Sequence, residues 1–284
     1  MDTIGAARYV RFVRIVCGDV HSVSRNTDFV ASLAKGLRVL ELFGAERPAM
    51  SVSQVAAETG FDRATARRCL LTLHQMGYAQ YDGKYFSLGP RALRLGVGAL
   101  ASLPLARQVQ PWLDQVSDRI GQSSSVSILD DTEIVYIARA AQKRVMSIGL
   151  MPGSRLPAHC TSMGRVLLAA LPENEARAVV ERSALAPRTR FSVTEPAEIM
   201  SRIDEVRRQG HALIDQEVEL GLRSLAVPLL NVHGQTVAAL NVGMAAIHDG
   251  PEALPGLFLP DLQRVQRGLQ REIWSSPVRL HREG

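Results

Sequence analysis

Cysteine is scarce in this chain of 284 residues: Cys17, Cys69 and Cys160 are far apart and odd in number. No Cys-x-x-Cys occurs, which excludes a disulfide framework or a zinc ribbon as the organising element. Long apolar runs are missing too, and none approaches the roughly 20 residues that a membrane helix requires. Tyr9–Cys17 is apolar in places, but Arg11 and Arg14 interrupt it, which makes a poor signal peptide. A reduced, cytoplasmic setting is the expectation. The histidines form no His-x-x-x-His pair, and no Gly-x-Ser-x-Gly elbow is present. Gly96-Val-Gly98 lacks the third glycine of a dinucleotide fingerprint. Cys160 follows His159, but neighbours in sequence do not make a nucleophile–base couple without geometry. No catalytic residue, metal or cofactor is therefore expected.

What is present is charge, unevenly placed. Residues 1–104 hold 13 Lys+Arg against 8 Asp+Glu, while residues 105–284 hold 20 of each. The whole net charge of +5 thus sits in the first third, the end a polyanion meets first. With 46% apolar and 21% charged residues the chain is of ordinary globular composition, long enough for two domains.

Residues 1–28 show no clean periodicity and read as a flexible arm. A helix is expected over Phe29–Phe43, where Leu33, Leu37 and Leu40 recur at three- and four-residue steps. Ser51-Val-Ser-Gln54 has capping-box spacing and starts a short helix that Gly60 closes. Asp62 caps a third helix over Asp62–Met76, with Ala66, Leu70 and Leu73 in its apolar stripe. Tyr78–Tyr81, Asp82-Gly83 and Lys84–Leu88 read as strand, tight turn and strand. A helix from Pro90 to Leu103 carries Leu93, Val97 and Leu100, more apolar surface than a linker requires, which suggests a dimer contact or packing on its own domain. Pro104 and Pro111 are taken to mark the domain boundary.

Beyond them, strands are expected over Ser124–Leu129, Ile134–Arg139, Val145–Met151, His211–Asp215, Arg223–Leu230 and Thr236–Met244. Pro152–Thr161 reads as a loop. Helices fit Ser162–Ala170, Glu173–Arg182, Ala197–Gln209 and Leu259–Trp274. This mixture predicts a two-domain α/β chain: a winged helix-turn-helix followed by a sensory α/β domain with a partly antiparallel sheet. The expected divisions are an arm at 1–28, the winged module at 29–89, a linker or dimerisation helix at 90–104, the sensory domain at 105–275 and a tail at 276–284.

In a winged helix-turn-helix the third helix offers its N-terminal half to the major groove. Arg63, Arg67 and Arg68 supply forked donors that match guanine edges or phosphate oxygens. Thr65, Asp62, Ser53, Gln54 and the wing's Lys84 complete the expected DNA-facing set.

At this point the chain resembles the isocitrate-lyase regulator (IclR) family, over nearly all of residues 29–274. The N-terminal likeness rests on Ser51-Val-Ser-Gln-Val-Ala56, Thr59-Gly60, Arg63-Ala-Thr-Ala-Arg-Arg68, Gly77-Tyr78 and Phe86-Ser-Leu-Gly89. The C-terminal likeness rests on Gly153-Ser-Arg-Leu-Pro-Ala-His-Cys-Thr-Ser-Met-Gly-Arg165, Asp215-Gln-Glu217 and Glu219-Leu-Gly-Leu-Arg-Ser224. Within the family it is most similar to the β-ketoadipate-pathway subgroup, of protocatechuate and p-hydroxybenzoate regulators. The resemblance implies a GAF-like effector domain, dimers or tetramers on double-stranded operator DNA, and an aromatic or dicarboxylic acid effector. RNA polymerase is a possible further partner; a membrane is not.

Carrying the family's pocket over by position points to Arg155, Ala158, Ser162, Asp215, Ser224, Asn241 and Gly243. Chemically, Arg155 offers a carboxylate clamp, and Ser162, Ser224 and Asn241 offer hydroxyl or amide groups. The chain departs from many members at Ser224, where they have cysteine, and at Ile214, where they have an acid. The glyoxylate branch's pocket chemistry does not transfer. The rival readings are an enzyme, or a small-molecule sensor whose DNA-binding half is degenerate.

Overall fold

The computed structural model of the chain describes residues 29–44, 47–142, 149–246 and 250–273. The expected arm over 1–28, the tail over 276–284 and most of the strand over Val145–Met151 lie outside those residues. The chain divides into two compact units, Met1–Gly98 and Ala99–Gly284.

The first unit contains α1 (Ala31–Glu41), α2 (Val52–Thr59) and α3 (Arg63–Gln75), with strands β1 (Ala49–Met50), β2 (Ala79–Tyr81) and β3 (Phe86–Leu88). Local chemistry sets its boundaries. The Gln54 N–H donates to Ser51 Oγ at 3.4 Å, and the Ser51 N–H donates to Gln54 Oε1 at 2.8 Å, closing the capping box. Gly60 ends α2 at φ +70°, a left-handed conformation that costs glycine little. Asp62 then caps α3, its Oδ1 accepting from the Thr65 N–H at 2.8 Å. Val39, Val55, Ala66, Leu70 and Phe86 close one small core beneath these helices. The wing is a three-stranded antiparallel sheet in the order β1-β3-β2. Sequence reading missed β1, because two residues carry no periodicity.

A helix, α4 (Pro90–Ser102), runs across the junction of the units. It is followed at once by α5 (Pro104–Ile120), which corrects the expectation that Pro104 and Pro111 only mark a boundary. Pro104 occupies the first turn, where its missing N–H is not needed. Pro111 lies inside the helix on an exposed position. An interior proline costs about 3 kcal/mol. The buried stripe Leu105, Val109, Leu113 and Val116 outweighs that cost by packing on the sheet.

The sheet comprises β4 (Ser123–Asp130), β5 (Glu133–Ala140), β6 (Arg155–Pro157), β7 (Ala212–Asp215), β8 (Leu222–Leu230) and β9 (Thr236–Ala245). Its order is β6-β5-β4-β9-β8-β7, and every pair is antiparallel, more completely than the sequence suggested. The strand β6 and a 3-10 turn, Ala158–Cys160, occupy what was expected to be a plain loop over Pro152–Thr161. On one face lie α5 and α9 (Leu254–Gln270), packed against Val126, Leu225, Leu240 and Val242. The helix α9 starts ahead of the expected Leu259 and carries Pro260 within it. On the other face lie α6 (Ser162–Ala169), α7 (Glu173–Arg182) and α8 (Pro196–Gln209), packed against Ile134, Tyr136, Ala226 and Ala239.

One irregularity positions the site. The register between β4 and β5 shifts so that Val126 pairs with Ala138 but Ser127 pairs with Tyr136. Ile137 is the extra residue of a β-bulge. In a regular strand, side chains three apart face opposite sides. The bulge reverses the alternation, so Tyr136 and Arg139 share the face covered by α6.

Candidate nucleic-acid interface and ligand cleft

In the first unit α3 buries Thr65, Ala66 and Leu70 and leaves Arg63, Arg67 and Arg68 exposed. Arg63 and Arg67 are one helical turn apart, so their guanidinium groups share a surface. Arg68 turns partly inward, donating to Thr65 Oγ1 at 3.3 Å. Two residues of the expected DNA-facing set bond to each other: Thr65 is buried and its hydroxyl donates to Asp62 Oδ2 at 2.7 Å, so the pair locks the helix start, with Asp62 exposed. These hydrogen bonds hold the Asp62 carboxyl below its usual range. Gln54 uses its Oε1 in the capping box, while Ser53 beside it is exposed. In the wing, Asp82 Oδ1 accepts from the Lys84 and Tyr85 N–H groups at 2.8 and 2.7 Å. The Lys84 ammonium lies over the Tyr85 ring, 5.0 Å from its centroid, at the exposed tip.

In the second unit a cleft opens between the sheet and the start of α6. It encloses about 500 Å³ of space, part of it open to solvent. Strand register explains its floor. Ser125 pairs with Arg139 on one side and Asn241 on the other, and the adjacent row runs Ser123, Gly243, Ser224. These residues line the cleft together with Tyr136, Leu150, Leu156, Thr161, Ser162, Met163, Val218 and Leu222, although Ser125 only supports it from beneath. Ser162, Ser224, Asn241 and Gly243 are thus brought together, as expected by position.

Three expected residues are not. Arg155 projects from the edge strand β6 and binds Asp130 and Glu133, both at 2.6 Å, while its neighbour Leu156 faces the cleft. Asp215 pairs with Arg223 across β7 and β8, and it alternates with Ile214 onto the opposite side of the sheet. Its carboxyl is taken by the Arg223 Nε–H at 2.7 Å. Ala158 is fully buried under α6: an added Cβ at Gly164 would lie 2.1 Å from the Ala158 carbonyl oxygen, so only glycine fits that crossing.

The cation of the cleft is Arg139, which sequence reading passed over. Its Nη1 donates to Ser125 Oγ at 3.0 Å, and it makes no carboxylate contact among the described residues. Burial pulls its guanidinium below the ordinary arginine range. Burial likewise pushes the Tyr136 phenol up to about 12, keeping it protonated. Thr161 is the N-cap of α6, accepting from the Gly164 N–H at 3.1 Å. Ser162 Oγ and Asn241 Oδ1 are buried without a hydrogen-bond partner among the described residues. Such orphaned atoms are rare in native structures and call for a partner such as an ordered water or a ligand.

Behind the cleft stands a second unanticipated group. Arg165, the one charged residue of α6, is buried. Its Nη2 donates to Glu217 Oε2 at 2.7 Å and its Nε donates to the His159 carbonyl at 3.0 Å. Glu217 also accepts from the Val193 N–H at 3.3 Å. A lone arginine in an apolar helix was the available sequence signal. His159 is 1% exposed with neither ring nitrogen bonded among the described residues. Burial, aided by Arg165 and Arg188, lowers its pKa to about 4.

The His159 shift sets an expected pH dependence. The unfolded chain takes up this proton near pH 6.5, whereas the folded chain does so only near pH 4. Between those values the unfolded state holds more protons, so stability falls as pH drops from about 6.5 toward 4. At pH 5 the loss relative to pH 7.5 is about 2 kcal/mol from this residue. Urea unfolding at the two pH values should show a His159→Leu variant losing less than the native chain by that amount. An identical loss in both would refute the assignment.

Comparison with known proteins agrees with this architecture. Residues 32–83 match the IclR helix-turn-helix domain, and residues 97–248 match the bacterial transcriptional regulator IclR C-terminal domain. The chain is 40% identical over 256 residues to the Pca regulon regulatory protein of Pseudomonas putida, covering 90% of this chain and 88% of that one. It is 37% identical over 254 residues to the p-hydroxybenzoate hydroxylase transcriptional activator of Acinetobacter baylyi, covering 88% and 94%. Among solved structures it is similar to a double mutant of the PobR inducer-binding domain from Acinetobacter in complex with 3-hydroxybenzoic acid. That match has 31% identity and a TM-score of 0.56, covering 60% of this chain and all of that one. With both domain models matched in order, and relatives of this identity over most of its length, the chain is a member of the IclR family of bacterial transcriptional regulators.

Proposed function

We propose that this regulator reads operator DNA through Arg63, Arg67 and Arg68, supported by Ser53 and Lys84, and that an aromatic acid in the cleft controls it. The observation that carries the reading is the pair of orphaned polar atoms, Ser162 Oγ and Asn241 Oδ1, in a cleft that joins one arginine to a wall of leucine, methionine and valine side chains. A site of that construction recognises a small amphipathic ligand. Relatives support the acid: one is a p-hydroxybenzoate hydroxylase transcriptional activator, and a double mutant of the PobR inducer-binding domain forms a complex with 3-hydroxybenzoic acid. Leu93, Leu95 and Val97 are exposed on α4, and we read them as a self-association surface that would pair two recognition helices on a two-fold operator.

The test is operator affinity, measured by fluorescence anisotropy on the chain's own upstream DNA, with and without hydroxybenzoates. Coupling free energies of this kind run from about 1 to 3 kcal/mol, so a change of about 5- to 150-fold is expected. Purified transcription from that promoter is the parallel readout. An acid that binds yet alters neither affinity nor transcription would end the effector part of the reading.

A further inference from the structure

We infer that Arg139 is the charge-recognition residue of the cleft and that it selects a monocarboxylate bearing a hydroxyl group over a dicarboxylate. This deepens, and rests on, the effector reading above. Among the described residues the neighbouring cations are already engaged. Arg155 is held by Asp130 and Glu133, Arg165 by Glu217, and Arg223 by Asp215. Arg188 donates to the Val218 carbonyl at 3.4 Å. Arg139 alone of them lines the cleft, and its described side-chain bond goes to the neutral Ser125 hydroxyl. Among the described residues no carboxylate side chain lines the cleft with it.

Among the described residues the lining therefore offers one positive charge and no negative one. A single anionic group neutralises it, and a guanidinium offers that group two parallel donors. A second carboxylate on the same ligand would leave water without a cation to meet it, which is strongly unfavourable in an apolar lining. The remaining polar demand is of another kind. Asn241 Oδ1 and Ser162 Oγ are buried and unbonded among the described residues. A hydroxyl both donates and accepts, so it can satisfy either. The apolar walls, Leu150, Leu156, Met163, Val218 and Leu222, suit a flat hydrocarbon body between the two polar ends. The bulge at Ile137 makes this possible, since without it Arg139 would face α5 and not the cleft.

Calorimetry on the full chain tests the inference with 3-hydroxybenzoate, 4-hydroxybenzoate, 3-hydroxybenzamide and adipate as probes. At least one hydroxybenzoate should bind ten-fold or more tightly than adipate. The neutral amide should bind about ten- to a hundred-fold more weakly than its acid, the range for losing a charge-assisted bond. Arg139→Gln should weaken the acid by a similar factor without weakening the amide further, and Arg139→Lys should fall between. Arg155→Gln should change affinity less than two-fold. The amide and adipate comparisons use the native chain, so they decide the matter even if Arg139→Gln does not fold. Adipate binding as tightly as the hydroxybenzoates, or acid and amide binding alike, overturns this inference and leaves the effector reading standing. Should none of the acids bind at all, the effector reading itself fails.

Discussion

Replacing Arg63, Arg67 and Arg68 together by alanine will reduce operator affinity by about a hundred-fold or more while leaving the fold and acid binding intact. Each base-reading or phosphate-bonding arginine contributes roughly 1–3 kcal/mol. Three such losses together come to about 3–9 kcal/mol, and the lower end alone is about a hundred-fold. Stability should change little, because all three side chains are exposed and the helix is anchored by Ala66 and Leu70. Surface substitutions of that kind usually stay within about 0.5 kcal/mol each. Arg68 is the member with an internal role, through its 3.3 Å bond to Thr65, so its single replacement should cost the least DNA affinity. Salt titration separates the contributions. Losing a phosphate contact makes the slope of log affinity against log salt shallower by about one unit, whereas losing a base contact relaxes sequence preference at one position. Electrophoretic mobility shift at several salt concentrations measures both. Native-like operator binding by the triple variant would mean that α3 is not the reading helix.

Removing the Arg165 side chain should be the most damaging single truncation in the second unit. Arg165→Ala leaves the buried Glu217 carboxylate without its cation and leaves the His159 carbonyl without its donor. Breaking one half of a buried pair costs about 3–5 kcal/mol. For a domain of this size each kcal/mol lowers Tm by about 2–4 °C, so a fall on the order of 10 °C is expected by calorimetry. The burial that pushes the Glu217 carboxyl up is the reason: an unpaired charge there has no water to solvate it. The paired replacement Arg165→Met with Glu217→Leu should recover most of the loss, because it removes both charges and keeps the volume. Acid affinity should also drop in Arg165→Ala. The pair ties the turn before α6 to the segment carrying Val218, and both contribute to the cleft wall. A loss below about 1 kcal/mol would show that the pair is only an accessory of packing.

Both expected results turn on residues whose visibility in the sequence differed for a physical reason. Arg63, Arg67 and Arg68 stood out because their placement depends on neighbours within one helical turn. The cap at Asp62, the capping box at Ser51 and Gln54, the left-handed Gly60 and the Asp82-Gly83 turn are likewise decided within a few residues. The same locality left the roles of Asp62 and Thr65 open: polar residues at a helix start suit both DNA contacts and caps, and the bonds seen here are cap bonds between the two.

The cleft is a different matter. Ser125, Arg139 and Asn241 meet only because β4 lies between β5 and β9, a pairing of strands far apart in the chain. Arg139 reaches the cleft face through one extra residue, Ile137, and periodicity alone places it on the wrong side. Arg155 and Asp215 looked available for a ligand until the fold brought Asp130, Glu133 and Arg223 within ion-pair distance. What the sequence by itself determined, then, was the family, most of the elements and the arginine-bearing start of α3, since these follow from local periodicity, capping and motif. Which side chains face the cleft, and which charges are already spent, was decided only by tertiary structure, because strand register and ion pairing are contacts between distant residues that no local pattern encodes.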